Sequence, residues 1–225
     1  MITKKVCVSY SLGKDSTLAL HRSIQAGNEV VALIISINEE NDRSWFHGVN
    51  QEIIQKTSES LNIPIIYAKS KGEDYQEVFI KTLVKAKKLG VTECVFGDID
   101  IIEHQEWCSN VCNEAGLKAN FPLWKENRKT LVEEFIDCGF KALIKTVSKQ
   151  HSLPKSLLFR TLTKEVLKEL EAFQVDVCGE NGEYHTLVYD GPLFKNTIKV
   201  KNEGIHESEY SYSVILKLEE NNISE

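Results

Sequence analysis

The apolar run Val6 to Tyr10 passes without a break into Ser11-Leu12-Gly13-Lys14-Asp15-Ser16, and a helical pattern begins near Asp15. A strand that turns into a helix through a small polar loop makes an anion site. The first amides of a helix lack intrahelical acceptors, and the helix dipole favours negative charge at that end. Gly13 lets the backbone approach closely. Lys14 supplies a compact positive charge, Ser11 and Ser16 supply hydroxyl donors, and Asp15 either caps the helix or holds a magnesium ion that travels with a nucleotide. The stretch therefore reads as a nucleotide loop rather than an ordinary capped turn.

Two common nucleotide loops are excluded by its details. A Walker A loop needs a glycine five residues before Gly13, where this chain has Val8, and Ser or Thr after the lysine, where it has Asp15. The dinucleotide fingerprint fails because Gly13 has no glycine neighbours at the required offsets. The pattern resembles instead the Ser-Gly-Gly-x-Asp-Ser loop of the PP-loop ATP pyrophosphatases, which split ATP into AMP and pyrophosphate while adenylating an acceptor. Leu12 stands where that loop has glycine, so strain is expected if its backbone angle is one that glycine favours.

The order of elements gives an α/β fold. Ser16 to Ala26 reads as a helix closed by Gly27, and Val30 to Ile37 as a strand buried on both faces. Helices over about Val49 to Leu61 and Asp74 to Leu89 alternate with strands at Ile63 to Ala68 and Glu93 to Phe96. Such alternation implies a parallel sheet with right-handed crossovers, with ligands beyond the carboxyl ends of the strands. Ser11 to Ser16, Ser36 to Asn38 and Gly97-Asp98 all fall at such ends, which points to one shared pocket. From about Gly116 the pattern changes. A turn at Phe121-Pro122-Leu123-Trp124 precedes helices at about 129–138 and 163–173, and strands at 142–147 and 210–218 precede an acidic tail expected to fray. The expectation is a nucleotide-binding domain over 1–115 and a smaller α+β substrate lobe over 116–225.

Composition limits the partners. With 225 residues, 42% of them apolar, the chain can bury a core of one domain or one domain with a joined lobe. The charge, 27 basic against 33 acidic residues or −6, disfavours nonspecific binding to duplex nucleic acid or to an anionic membrane. The apolar run Val30 to Ile35 is broken by Ser36, and Lys4-Lys5 is followed by no signal-peptide pattern, so a soluble cytoplasmic protein is expected. The six cysteines show no C-x-x-C pair and read as reduced thiols. His104, Cys108 and Cys112 recur every four residues. Eight residues of helix rise about 12 Å, so the outer two cannot share one zinc ion, and the set reads as a core stripe or half a site.

The second lobe holds a dense polar cluster, Cys178-Gly179-Glu180-Asn181-Gly182-Glu183-Tyr184-His185-Thr186. The two glycines permit a tight loop, and the crowded carboxylates, amide and imidazole are either a solvated turn or a site. With Asp190-Gly191-Pro192-Leu193-Phe194 after it, this cluster resembles the signature of the diphthine-ammonia ligase family, a branch of the PP-loop (HUP-like, adenine nucleotide alpha hydrolase) enzymes. Trp45-Phe46-His47-Gly48-Val49, Val95-Phe96-Gly97-Asp98-Ile99 and Phe121-Pro122-Leu123-Trp124 extend the resemblance over nearly the whole chain. It departs at Phe159, where relatives often have glycine, and at Thr163, where they often have aspartate.

The resemblance implies an ATP-dependent amidation: a carboxylate attacks the α-phosphate, pyrophosphate leaves, and ammonia displaces AMP. It implies that Ser11, Leu12, Gly13, Lys14, Asp15 and Ser16 hold the phosphates, with Asp15 on magnesium, and that Ser36, His47, Gly97 and Asp98 line the nucleotide pocket. His47 is otherwise a structural histidine, and Asp98 a helix cap. Trp124, Arg160, Glu180, Asn181 and Glu183 would face the acceptor or ammonia, and Glu183 or His185 would take a proton from the amine. The implied partners are ATP, ammonia and a carboxylate, such as diphthine on elongation factor 2, which archaea and eukaryotes carry. A homodimer is plausible. Another small-molecule or modified-nucleoside acceptor, and an ATP sensor without turnover, are the alternatives.

Overall fold

The computed structural model describes residues 3–219, so the acidic tail expected to fray lies outside the described residues. Strands β1 (Lys5–Ser9), β2 (Glu29–Asn38), β4 (Ile65–Ser70), β5 (Glu93–Val95) and β6 (Lys118–Asn120) form a parallel sheet in the order β4-β2-β1-β5-β6. The two-residue strand β3 (Arg43–Ser44) adds antiparallel to the end of β2. Side chains of a strand alternate between faces, and the core divides accordingly. Val6 and Val8 of β1 join one apolar cluster, while Cys7 between them joins the other.

On the first face lie α1 (Lys14–Gln25) and α2 (Gln51–Leu61), contributing Leu18, Leu20, Ile53 and Ile54. On the second lie α3 (Tyr75–Lys88) and α4 (Ile102–Ala115), contributing Phe79, Leu83, Cys108, Val111 and Cys112. The four-residue stripe is thus a core stripe for its two cysteines, whereas His104 stands outside it with its ring 59% exposed.

The remaining elements are α5 (Arg128–Asp137), α6 (Lys164–Ala172) and an antiparallel sheet β8-β7-β10-β9, comprising β7 (Lys141–Ser148), β8 (Tyr184–Asp190), β9 (Val200–Glu207) and β10 (Ser211–Leu218). Asn127 and Thr163 accept from the Thr130 and Val166 amides, so both helices start on a side-chain cap. Thr163 thereby does the capping work open to an aspartate at that place. The second sheet packs into the first cluster rather than forming a core of its own: Leu143, Leu187, Val188 and Val214 join Val8 and Leu33 there. Where the two halves meet, the Val188 amide donates to the Leu12 carbonyl at 2.9 Å and the Lys14 amide to the Thr186 hydroxyl at 3.1 Å. The nucleotide loop is therefore clamped between the sheets.

The polar cluster differs from its sequence reading at one end. The tight loop stops at Glu183, and Tyr184, His185 and Thr186 open strand β8. Pairing with β7 decides this, with Ile144 opposite Thr186 and Thr146 opposite His185 across a bulge.

Candidate active site

A cavity of about 580 Å3 opens over the carboxyl ends of β1 and β5, lined by the nucleotide loop on one side, α3 and α4 on another, and the Gly179–Thr186 segment on a third. Its volume is in the range of small-molecule sites. Gly13 caps α1 without a side-chain acceptor, and the Asp15 and Ser16 amides donate to no group among the described residues. Ser11 and Ser16 share a hydroxyl contact of 3.1 Å, and Ser16 also donates to the Gly13 carbonyl. The end of α1 thus turns its first amides and Lys14 toward the cavity.

Leu12 sits at φ 69°, in the left-handed region, with its side chain fully buried. The loop takes the conformation glycine favours, and a core leucine holds it there. Phe159 likewise stands at φ 63°. Gly97 is required for a different reason. A Cβ there would lie 2.7 Å from the Ser16 nitrogen, so the bare backbone lets β5 touch the start of α1.

Charge is concentrated around Lys14. Its ammonium contacts the Asp15 carboxylate at 2.7 Å and Glu180 at 3.9 Å, and lies 5.7 Å from the Tyr184 ring centre. Burial works against the lysine's charge, but Asp15 and its anionic neighbours hold its pKa well above the usual range. Burial, then repulsion from Asp15, raises Glu180 to about 7. Cys178 approaches Asp15 at 3.8 Å, and Asp15, Cys178 and Glu180 are, among the described residues, the one set of three metal-ligand side chains with donor atoms within 4.8 Å of one another. Two carboxylates suit a magnesium ion that keeps phosphate oxygens in its shell. The thiol, which burial holds well above its usual pKa, does not.

Two imidazoles face each other edge to face at 5.3 Å, His47 and His185. His47 packs on Gly13, and its buried Nδ1 has no partner. Burial pushes both pKa values down, and repulsion from Lys145 and Lys14 adds to it. Both rings are neutral bases at physiological pH. Lys145 on β7 is 6% exposed, and burial followed by repulsion from Arg43 lowers it to about 8.

Of the residues expected at the site, Ser11, Lys14, Asp15, Ser16, His47, Gly97, Asp98, Glu180 and His185 line the cavity together. The others stand elsewhere. Leu12 and Gly13 shape the loop from behind, and Ser36 binds the Tyr75 hydroxyl at 3.1 Å. Trp124 leans on Phe121, and Arg160 is paired with Glu169. Asn181 and Glu183 form a closed set: the Glu183 carboxylate, 2% exposed, accepts from the Asp176 amide and from both the amide and the side chain of Asn181. Glu183 is the internal template of its loop.

Sequence reasoning missed Arg128, whose guanidinium binds Asp100 twice at 2.7 Å, Asp176 at 2.7 Å and Asn181 at 3.2 Å, tying the first half of the chain to that loop. It also missed Tyr75 and Trp107 on the cavity wall. No local spacing marks them, because their partners are distant in sequence. Phe46, beside His47, was in view only as part of a longer motif.

Comparison with known proteins adds two family models. Residues 4–119 match the diphthamide synthase N-terminal domain and residues 127–220 the diphthamide synthase C-terminal domain. A human protein named diphthine–ammonia ligase is 29% identical, over 89% of this chain and 84% of that protein, and a mouse protein of the same name is 27% identical, over 95% and 90%. A fission-yeast protein of that name is 29% identical over 90% of this chain, which spans 37% of that longer protein. The solved structure of a predicted subunit of tRNA methyltransferase from Methanocaldococcus jannaschii aligns with TM-score 0.44 at 15% identity, covering 86% of this chain and all of that one, a likeness too loose to carry an argument.

Proposed function

The chain belongs to the diphthamide synthase family, and from that premise we propose that it is an AMP-forming, ATP-dependent carbon–nitrogen ligase of the diphthine–ammonia ligase type. The observation that carries the reading is the open start of α1, with free Asp15 and Ser16 amides beside Lys14 in a cavity large enough for a nucleotide. The β- and γ-phosphates of ATP lie against those amides, Lys14, Ser11 and Ser16. The nucleoside lies over the ends of β1 and β5, near Ser9 and Gly97.

In the first step an acceptor carboxylate oxygen attacks the α-phosphorus, the bond to the bridging oxygen breaks, and pyrophosphate leaves. Its developing charge is met by donors already in place, which is the larger part of such catalysis. Asp15 and Glu180 would hold a magnesium ion, which supplies further neutralisation of phosphate charge when bound. In the second step ammonia attacks the acyl carbon, AMP departs with the acyl oxygen, and the amine loses a proton. His185, neutral and on the cavity wall, is the base that takes it. Burial first, then repulsion from Lys14 and Lys145, keeps that ring uncharged beforehand. The acceptor is diphthine on elongation factor 2 where the cell makes it.

Incubating the protein with ATP, magnesium, ammonia and diphthine-bearing elongation factor should yield AMP and pyrophosphate in equal amounts and the amidated factor. Asp15→Ala should lower turnover by about 100-fold or more. Release of ADP, ATP bound and returned intact, or an Asp15→Ala variant within a few fold of the parent would defeat the reading.

A further inference from the structure

Two buried polar groups stand side by side at the edge of the cavity without a partner among the described residues. His47 turns the Cε1–Nε2 edge of its ring onto Gly13 of the nucleotide loop, while its Nδ1 is buried and bonded to nothing. The other is the Lys145 ammonium. Lys145 is 6% exposed and outside the cavity lining, yet it makes no hydrogen bond or ion pair. It lies against the residue that follows His47: a Cβ on Gly48 would be 3.8 Å from its Nζ. Buried polar groups are nearly all hydrogen-bonded, so two orphans at adjoining residues point to an exchange between them.

The groups around them are cations and imidazoles. Arg43 of β3 donates to the Gly48 carbonyl at 3.1 Å, His185 of β8 meets His47 edge to face at 5.3 Å, and Lys14 of α1 repels a proton on either ring. Asp15 is felt at His185, but no carboxylate helps to hold the charge of Lys145. Burial, then repulsion from Arg43, lowers that lysine to about 8. Such an amine gives up and regains a proton near neutrality, which a surface lysine does not.

We propose that Lys145 is the outlet for the proton released in amide formation, drawing it from His185 by way of His47 and passing it to solvent. The inference rests on the ligase reading for the source of the proton, and on the two unpartnered groups for its route. The nitrogen newly bonded to the acyl carbon loses a proton to a lone pair of His185, and that imidazolium passes one to His47. The neutral Lys145 amine then takes one from His47 Nδ1, directly or through a bridging water, and yields it to bulk water. Nothing is oxidised or reduced, and both rings return to the neutral form. Lys145 touches no reacting atom and is a positioning residue for the protons of the two imidazoles. A charged Lys145 opposes a further proton on either ring, so the route opens as Lys145 loses its own.

Two variants of the full chain test this. Lys145→Met removes the buried charge without opening a cavity, and Lys145→Arg keeps the charge but never releases its proton. In proton–carbon correlation spectra the His47 Cε1 signal of the parent should shift in a step near pH 8, and both variants should lose that step. With saturating ATP, a fixed concentration of free ammonia and diphthine-bearing elongation factor, amide formation should fall about 10- to 100-fold in both. Exchange of pyrophosphate into ATP, which moves no amine proton, should fall less than about threefold. Amide formation restored by arginine would show that only the charge matters, and equal loss of exchange and amide formation would show a structural role. Either result, or a parent spectrum without the step, overturns the proposal. The step without any AMP formed would remove the ligase reading, and the source of the proton with it.

Discussion

Glu183 is held from all sides by its own loop. Its two oxygens accept from the Asp176 amide, the Asn181 amide and the Asn181 side chain while almost no surface is exposed. Glu183→Gln keeps the shape but turns one acceptor into a donor facing a backbone N–H, leaving a buried polar pair unmet. Stability should drop by about 1–3 kcal/mol, seen as a lower Tm, with turnover falling because the Glu180 segment loosens. Unchanged Tm with lost turnover would show instead that Glu183 takes part in the reaction. Leu12 poses a contest between two terms. Leu12→Gly relieves left-handed strain of about 1–2 kcal/mol. It also removes a fully buried leucine, a loss of at least about 2–5 kcal/mol. The cavity term wins, and the variant should be less stable by about 2 kcal/mol in denaturant unfolding. A more stable variant would show that strain dominates.

The contact between the end of β5 and the start of α1 sets the width of the anion site. With Gly97→Ala, a methyl 2.7 Å from the Ser16 nitrogen and 2.8 Å from the Asp15 carbonyl carbon meets backbone on both atoms, which no rotamer relieves. The helix must move away from the strand end, at about 1–3 kcal/mol. ATP affinity should fall more than tenfold; affinity within twofold would mean the loop absorbs the methyl. The parallel strands and their helices were readable because they are long, apolar and separated by glycine or proline, as in Val30 to Ile37 and Gly27. Helix α4 was read only as the helix face shared by His104, Cys108 and Cys112, without bounds, because its inner face is Cys108, Val111, Cys112 and Ala115, small residues that leave a faint periodicity. Strand β9 was missed because it lies at a sheet edge and exposes nearly every residue, so its polar sequence resembles a loop. That Ser11, Lys14, Asp15 and Ser16 face one cavity was legible because they are contiguous. Arg128, Tyr75 and Trp107 were not, since each acts on groups that only folding brings near.

Both sheets share one apolar cluster, running from Val8 and Leu33 through Leu143 to Val214, so the two halves should unfold in a single transition. Within that cooperative unit, Glu180 couples the site to global stability. Its pKa, about 7 when folded, lies above the usual glutamate value of 4.5, because burial and Asp15 disfavour its charge. Between about pH 4.5 and 7 the folded protein therefore binds more protons at this group than the unfolded chain does, and stability declines as pH rises through that window, becoming flat above it. Function runs the other way. On the proposed ligase reading an ionised Glu180 would complete, with Asp15, the carboxylate pair for a phosphate-bound cation, so kcat/KM for ATP should climb through pH 7 while Tm falls. Glu180→Gln separates the two. It should be more stable than the parent at pH 8 by on the order of 2 kcal/mol, should match it near pH 4.5, and should lose the acidic limb of the activity profile. Thermal melts at both pH values, recorded by tryptophan fluorescence and by far-ultraviolet dichroism, check the stability arm and the single transition together. A difference in Tm between the two proteins that does not change with pH would show that Glu180 is already ionised at pH 5, with Lys14 balancing its charge in full.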